Sequence, residues 1–215
     1  MSTEAPQEAV TLAQFLDSIA APSATPGGGS VSALAGSLAA ALVEMVINLT
    51  VGKKGFEGKE PELQKIREEA HSCREALTAT IVQDSLAYQT VMNAFLLPRK
   101  TEDEKRKRKE EIQQALKKAA DPPLFTTVTS LKVMKLCQEA VEKGNPRTIS
   151  DAAVGALLAD AAMGGGIFNV LINLSALEDQ HFAERMKKEL RRLEAEGATM
   201  KNIILARIQE KINCR

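Results

Sequence analysis

The sequence predicts an all-α protein: a single up-and-down helical bundle with long helices that forms dimers. Aromatic residues make up only 3% of the 215 residues and Trp is absent, which disfavours a β-sandwich. Ala, Leu, Glu and Lys, which favour helices, dominate the composition. No segment alternates with the period of a strand, and no repeat or Gly/Ser-rich linker divides the chain. We expect one helical domain over residues 1–215, with residues 1–10 flexible.

Apolar periodicity and helix-start signals place the helices along the chain. Their expected ranges are about residues 11–19, 31–51, 61–97, 101–120, 124–143, 151–174 and 175–213. The start signals are Ser30 and Ser150 as N-caps, Pro61 in a first turn, and capping boxes at Thr101–Glu104 and Ser175–Glu178. Gly52 is expected to cap the end of the second helix. Long helices of this kind offer a surface for dimer formation.

Charge and cysteine usage exclude several classes of function. Lys plus Arg and Asp plus Glu both number 28, so the chain as a whole is not drawn to nucleic acid or to an anionic membrane. The three cysteines are scattered without metal-ligand spacing, which favours a reducing cytoplasm. The two histidines, at 71 and 181, are too far apart in sequence to suggest a metal centre. The N-terminus has no signal-peptide core, and the apolar run Ser30–Val51 contains Glu44, so we interpret it as a buried helix rather than a membrane span.

One carboxylate interrupts the apolar stripe of the long helix over 61–97. Asp84 lies three residues after Ile81 and four before Tyr88, so helical geometry points it at the core. An ionised carboxylate there costs several kcal/mol unless it is paired or hydrated. Two interpretations stay open: a structural salt bridge or interhelix hydrogen bond, and a catalytic group that lines a cavity.

Three consecutive glycines precede the second helix. Gly27, Gly28 and Gly29 let the backbone approach a ligand closely, and the helix N-terminus after them favours a carboxylate, a phosphate or a polarised carbonyl. The segment has neither the spacing of a P-loop nor that of a dinucleotide fingerprint. A tight turn without any ligand explains the same residues.

Other polar and glycine positions have more than one interpretation each. Lys53 and Lys54 follow a helix C-terminus, where cations are favoured anyway, or they bind the anionic tail of a substrate. Asn169 and Asn173 share one helix face, as structural bridges or as substrate contacts. The run Gly164–Gly166 inside that helix indicates a kink, a close backbone crossing or a ligand wall.

Several sequence blocks, taken together, match the pattern of one family. In chain order they are Phe15–Asp17, Pro26–Val31, Leu49–Lys54, Asp84–Tyr88, Leu97–Thr101, Lys143–Asn145, Ser150–Asp151 and Asn169–Asn173. Their order and spacing, from about residue 12 to 213, resemble the C-terminal domain of the formiminotransferase-cyclodeaminase family. The resemblance implies an all-α bundle, a homodimer and a folate site near the subunit interface.

The resemblance also implies roles for particular residues. Asp84 occupies the position of the family's catalytic Asp, which would shuttle the proton. The substrate-binding residues would be Pro26, Gly27, Gly28, Gly29, Ser30, Lys53, Lys54, Ser150, Asp151 and Asn169. No metal and no cofactor beyond the tetrahydrofolate substrate are expected, because the methenyl amidinium of such a substrate is already electrophilic.

Two related reactions occur in the family. This chain has no room for a formiminotransferase domain, so it resembles the stand-alone bacterial members that hydrolyse 5,10-methenyltetrahydrofolate to 10-formyltetrahydrofolate. The first alternative is a cyclodeaminase that releases ammonia from formiminotetrahydrofolate. The second is a non-catalytic helical dimer with a scaffold or regulatory role. The scaffold hypothesis predicts that a cation pairs with Asp84 and that no pocket opens at the glycine loop.

Overall fold

A computed structural model describes residues 10–213, which fold into helices joined by short connections. The helices are α1 Leu12–Ala20, α2 Gly28–Asn48, α3 Glu60–Phe95, α4 Glu102–Ala119, α5 Asp121–Lys143, α6 Ile149–Ser175 and α7 Gln180–Asn213, with a short 3-10 helix at Pro146–Thr148. No strand occurs between residues 10 and 213, which confirms the predicted all-α class. Residues 1–10 were expected to be flexible; all of them except Val10 lie outside the described range. The single domain over residues 1–215 stays a prediction.

Helix α2 lies at the centre of the bundle and packs against α3, α5 and α6. Helices α2 and α6 run antiparallel, because Gly28 at the start of α2 lies beside Asn169 late in α6, and Ala39 lies beside Gly155. The largest fully buried side chains of the core include Ile47, Leu63, Leu77, Met134, Leu174, Leu190 and Ile204. The beginning of α2 is thereby fixed against the middle of α3 and the later part of α6.

Small residues on α2 allow its neighbours to approach closely. A Cβ on Gly36 would lie 2.8 Å from Ser130 Oγ and 3.1 Å from Leu77 Cδ1, distances shorter than ordinary packing contacts. The small residues of α2 therefore allow close helix packing in the core.

Two helices are long and apolar enough, by length and composition, to cross a membrane. They are α2 and the segment Pro146–Ser175. In the most apolar 18-residue stretch of each, 56% of α2 and 44% of Pro146–Ser175 is buried inside the protein. Inner helices of a globular bundle have the same composition, and α2 touches three other helices. The rest of these stretches includes outward-facing apolar side chains on α2 and α6.

The predicted capping role of Ser30 is wrong. Helix α2 begins three residues earlier than predicted, at Gly28, and its N-cap is Gly27 in an extended conformation. Ser30 lies inside the first turn, fully buried, and its hydroxyl hydrogen-bonds to α3 instead of to its own helix. Because glycines lack side chains, the helix can begin earlier and lie directly against α3.

Other helix ends test the remaining start and stop signals. The Thr101–Glu104 capping box is confirmed, with Thr101 Oγ1 accepting from the Glu104 N–H at 3.2 Å and Glu104 Oε2 accepting from the Thr101 N–H at 3.0 Å. Pro61 lies in the first turn of α3, as predicted. Gly52 is not the C-cap of α2, which is Leu49; Gly52 has a φ of 73° in the following turn.

Two predicted N-caps near the start of α6 and α7 are wrong. Helix α6 begins at Ile149 after Thr148, so Ser150 lies within its first turn. Helix α7 begins at Gln180, where Asp179 Oδ1 accepts from the Phe182 N–H at 3.0 Å. Leu177 is buried in the core before α7 begins, and the charged Asp179 after it accepts the hydrogen bond at the start of the helix. Helix α7 therefore begins later than the Ser175 signal indicates.

Candidate active site

The site is centred on the contact between Asp84 of α3 and the first turn of α2. Ser30 Oγ donates to Asp84 Oδ2 at 3.0 Å. A Cβ on Gly29 would collide with the Asp84 carboxylate, whose carbon would lie 2.5 Å away. The carboxylate can therefore occupy this position only because residue 29 has no side chain.

Burial controls the electrostatics of Asp84. It raises the pKa of Asp84 above the ordinary value, and hydrogen bonds from the hydroxyl and backbone of Ser30 oppose that effect in part. Among the residues that the structure describes, no Lys, Arg or His forms an ion pair with Asp84. A half-buried carboxylate with a raised pKa and no counter-ion is suited to exchanging a proton with a substrate.

A cavity of about 210 Å³ opens beside this carboxylate. It lies between the loop before α2, the middle of α3, the end of α4 and the later part of α6. Its lining residues are Ala24, Thr25, Gly27, Gly28, Gly29, Asp84, Tyr88, Ala119, Asn169, Ile172 and Asn173. The scaffold hypothesis predicted a paired carboxylate and no pocket at the glycine loop, and both predictions are wrong for the described residues.

The two asparagines of α6 serve the fold and the cavity together. Asn169 Nδ2 donates to the Gly165 carbonyl at 2.8 Å, and Asn173 Nδ2 donates to the Ala119 and Asn169 carbonyls at 3.0 Å each. These bonds fix the side chains and tie α6 to the end of α4. Both asparagines still line the cavity, so the structural and the substrate-contact interpretations are compatible.

The glycine run in α6 lies where this helix closely approaches α2 and α5. A Cβ on Gly165 would collide with the Ser32 side chain of α2, and one on Gly166 would lie 2.7 Å from the Pro123 carbonyl of α5. Gly164, in contrast, has no heavy atom within 4 Å of such a Cβ. Of the three interpretations that the sequence left open, close crossing therefore accounts for Gly165 and Gly166.

The remaining predicted site residues lie at the opposite end of α2. Lys53 and Lys54 follow its C-terminus and line a wider cavity of about 590 Å³, together with Arg147. Ser150 and Asp151 begin α6 at the same end. Because α2 has 21 residues, the two ends are roughly 30 Å apart at 1.5 Å per residue. One chain therefore does not bring these residues to Asp84.

The glycine-loop residues are divided between the cavity and its support. Gly27, Gly28 and Gly29 line the cavity, whereas Ser30 is buried beneath it and Pro26 is not a lining residue. Pro26 follows Thr25 through a cis peptide bond. The predicted binding residues at 27–29 are thus placed at the cavity, and Ser30 contacts the carboxylate instead of the open space.

Sequence reasoning missed several lining residues. Thr25 and Ala24 lie in an irregular loop whose path no periodicity predicts. Tyr88 follows Asp84 by one helical turn, a signal that could have placed it on the same face of α3. Ile172 is 68% exposed on α6, and the sequence of this apolar helix does not reveal that exposure.

Fold and cavity together define an all-helical enzyme with one unpaired carboxylate as its candidate acid–base group. The family model for formiminotransferase-cyclodeaminase matches residues 11–192. The chain belongs to this family, and the resemblance seen in the sequence blocks is confirmed.

Known relatives include proteins with two different names. A methenyltetrahydrofolate cyclohydrolase from Methylorubrum extorquens is 40% identical over 94% of this chain and 98% of its own length. The formimidoyltransferase-cyclodeaminase of Gallus gallus is 33% identical over 93% of this chain, which spans only 37% of that longer protein. The crystal structure of a formiminotetrahydrofolate cyclodeaminase from Thermotoga maritima matches with a TM-score of 0.85 and 32% identity, covering 94% of this chain and 97% of the other.

Proposed function

We propose that this protein is a methenyltetrahydrofolate cyclohydrolase, which hydrolyses 5,10-methenyltetrahydrofolate to 10-formyltetrahydrofolate. The 40% identity to the Methylorubrum extorquens enzyme over nearly the full length of both chains favours this reaction. The structural observation that carries the proposal is the unpaired Asp84 carboxylate at the cavity wall. The cytoplasmic location expected from the cysteines stays a prediction.

The chemistry requires one group that moves protons. Water adds to the electrophilic carbon between N5 and N10 of the folate, and Asp84 accepts the proton that the water loses. The bond from this carbon to N5 then breaks, N5 gains a proton from Asp84, and the carbinol hydroxyl loses its proton as the formyl C=O forms. The substrate is a cation and the product is neutral at this centre, so one proton is released per turnover.

The glycines leave space for the substrate at this carboxylate. Gly27 and Gly28 present backbone without side chains to the cavity, which suits a flat pterin ring or a polarised carbonyl lying against it. Asn169 and Tyr88 lie on the other walls, where they provide polar contacts. In this arrangement Gly27–Gly29 bind and orient the substrate, and α3 supplies the proton chemistry.

A homodimer would unite the two sets of binding residues. The antiparallel helices α2 and α6 carry several exposed apolar residues, each at least 40% exposed: Val31, Leu38, Val154, Leu157, Phe168 and Ile172, with Leu49 at the C-cap of α2. Exposed apolar side chains on two neighbouring helices favour an interface between subunits. A second copy of this chain, the partner that the family resemblance suggests, fits a face built from two long helices.

A two-fold axis perpendicular to α2 would place the C-terminal end of one α2 beside the N-terminal end of the other. Lys53 and Lys54 of one subunit would then lie near the Asp84 cavity of its partner, where they attract the glutamate carboxylates of the folate. Ser150 and Asp151 would come to the same place. This geometry explains why predicted binding residues lie at both ends of a single chain.

Cyclodeamination of formiminotetrahydrofolate is the second candidate. The similarity to the Thermotoga maritima cyclodeaminase favours it, with a TM-score of 0.85. The two reactions share the tetrahedral carbon between two nitrogens and differ in whether ammonia or a ring-opened formyl product leaves. The same carboxylate can serve both as proton acceptor and donor.

Two parallel assays separate the two candidate reactions. Purified protein is incubated with 5,10-methenyltetrahydrofolate while the loss of its ultraviolet absorbance is followed, and in parallel with formiminotetrahydrofolate while ammonia is measured. We expect enzyme-dependent loss of methenyl absorbance. Ammonia release without methenyl hydrolysis would transfer the assignment to the cyclodeaminase, and inactivity with every folate would remove both.

A further inference from the structure

The hydroxyl of Ser30 has more oxygen neighbours than it has hydrogens. Ser30 Oγ lies 2.9 Å from the Ile81 carbonyl, 3.0 Å from Asp84 Oδ2 and 3.3 Å from Ser85 Oγ. All three neighbours belong to α3, whereas Ser30 belongs to α2. The residue has no exposed surface, so water does not compete for these contacts.

The single hydroxyl hydrogen of Ser30 can be donated to only one of two acceptors at a time. The Ile81 carbonyl can only accept, and an ionised Asp84 can only accept as well. When Asp84 is ionised, Ser30 donates to the carboxylate in a charge-assisted bond. When Asp84 is protonated, its own O–H can donate to Ser30 Oγ, and Ser30 can turn its hydrogen to Ile81. Each protonation state therefore has a complete set of hydrogen bonds without movement of any heavy atom.

We infer that Ser30 is a positioning residue whose hydroxyl reverses its hydrogen bond each time Asp84 gains or loses the catalytic proton. The reversal keeps the carboxyl group fixed against Gly29 throughout the reaction. Ser85 Oγ can donate to Ser30 Oγ while Ser30 donates to Asp84, which completes the network. The inference rests on the proposed function, because it assigns Asp84 the proton transfer.

The surroundings make Ser30 the main adjustable partner of Asp84. Tyr88 is the only other titratable side chain among the residues that line the cavity, and Asn169 and Asn173 bind backbone carbonyls through their amide nitrogens. The elements packed around the cavity otherwise present glycine, alanine, threonine and isoleucine to it. A change at Ser30 should therefore appear directly in the titration of Asp84.

Ser32 offers a matched control in the same helical turn. Its Oγ donates to the Gly28 carbonyl at 2.7 Å and, like Ser30, it is buried, at 7% exposure. It has no hydrogen bond with Asp84 within the described structure. Ser30→Ala and Ser32→Ala each remove one buried hydroxyl of α2, but only the first removes the partner of the carboxyl group.

The kinetic test is the pH profile of kcat and of kcat/KM with methenyltetrahydrofolate. Loss of a hydrogen bond to a charged group corresponds to a factor of roughly 10–100, so we expect kcat of Ser30→Ala to fall by about that factor with KM little changed. The acidic limb should move to higher pH, because the ionised carboxylate loses its donor. Ser30→Thr keeps a hydroxyl and should restore the limb, while Ser32→Ala should match the wild type.

A spectroscopic test does not depend on turnover. The infrared band of the protonated Asp84 carboxyl, obtained by subtracting the spectrum of Asp84→Asn, should titrate at higher pH in Ser30→Ala and appear at higher frequency, since its O–H has lost its acceptor. An unchanged band and an unchanged acidic limb in Ser30→Ala would overturn the inference. A wild type that hydrolyses no folate would contradict the proposed function instead, while the infrared titration would still decide the role of Ser30.

Discussion

The two ends of α2 differ in the sign and in the burial of the charged side chains that surround them. At the N-terminal end, Asp84 is half-buried against Gly29, without a counter-ion among the described residues, beside a cavity of about 210 Å³. At the C-terminal end, Lys53, Lys54 and Arg147 line a cavity of about 590 Å³ and form no ion pair with any described acidic residue. One end presents a single carboxylate in a tight space, and the other presents several cations in an open one.

The difference teaches which end can perform which task. Burial alters the protonation equilibrium of a group, as it does for Asp84, and so prepares it for proton transfer. Exposed cations act over distance, which suits attraction of an anionic substrate. We therefore propose that the chemistry occurs at the N-terminal end and that the C-terminal end captures the substrate tail.

The largest expected effect follows from removing the carboxylate. Asp84→Asn should lower kcat for methenyltetrahydrofolate by about 10²–10⁴, the usual contribution of a positioned acid–base group. The helical circular dichroism should stay as in the wild type, since Asn has the same size. Wild-type turnover in Asp84→Asn would show that the N-terminal end does not perform the chemistry.

Adjacent glycines at this end should respond differently to the same change. In Gly29→Ala the new Cβ would displace the Asp84 carboxylate, and a misplacement of about 1 Å can cost about 10² in rate. In Gly28→Ala the Cβ would lie 3.4 Å from Asn169 Nδ2 and would not press on the carboxylate, so kcat should fall less than in Gly29→Ala, while KM should rise because the methyl group enters the space proposed for the substrate. Steady-state kinetics of both variants provide the comparison, and equal losses would contradict the role of Gly29.

A second pair of glycines, Gly164 and Gly166 of α6, tests the helix packing near the same end. Gly166→Ala would place a Cβ 2.7 Å from the Pro123 backbone and should destabilise the protein by about 1–3 kcal/mol. Gly164→Ala meets nothing within 4 Å and should stabilise it by up to about 1 kcal/mol through helix propensity. Denaturant unfolding measures both, and a stable Gly166→Ala would contradict the close crossing of α5 and α6.

The smallest expected effect concerns stability and pH. Since burial raises the pKa of Asp84, the native protein binds more protons than the unfolded chain between the unfolded and folded pKa values. The contribution of Asp84 to stability should therefore fall as pH rises through that window, so Asp84→Asn should gain stability relative to the wild type with rising pH and be the more stable form at neutral pH. Thermal unfolding across pH tests the sign; a less stable Asp84→Asn at neutral pH would indicate a structural role for the carboxylate.

The sequence was sufficient for the helical class and for the inward-facing position of Asp84, because helical periodicity is regular enough to reveal one polar residue within an apolar stripe. It misplaced Ser30, since a serine after three glycines has the local signature of an N-cap while its actual partners are on α3, 51 to 55 residues away. It also could not place Lys53 relative to Asp84, because that separation depends on the packed length of α2. Lining residues from the irregular loop, such as Thr25, left no periodic signal at all.

The joining of the two ends across a dimer is tested most directly by mixing two defective variants. Asp84→Asn should lack turnover, and Lys53→Ala/Lys54→Ala should have a KM raised by about tenfold, corresponding to ~1.4 kcal/mol of lost binding. Asp84→Asn and the double variant are unfolded together, refolded and assayed below KM. If one subunit supplies Asp84 and its partner supplies the lysines, half of the random dimers contain one intact site, and activity should recover to about a quarter of the wild type. Activity equal to the average of the two variants alone would contradict the account.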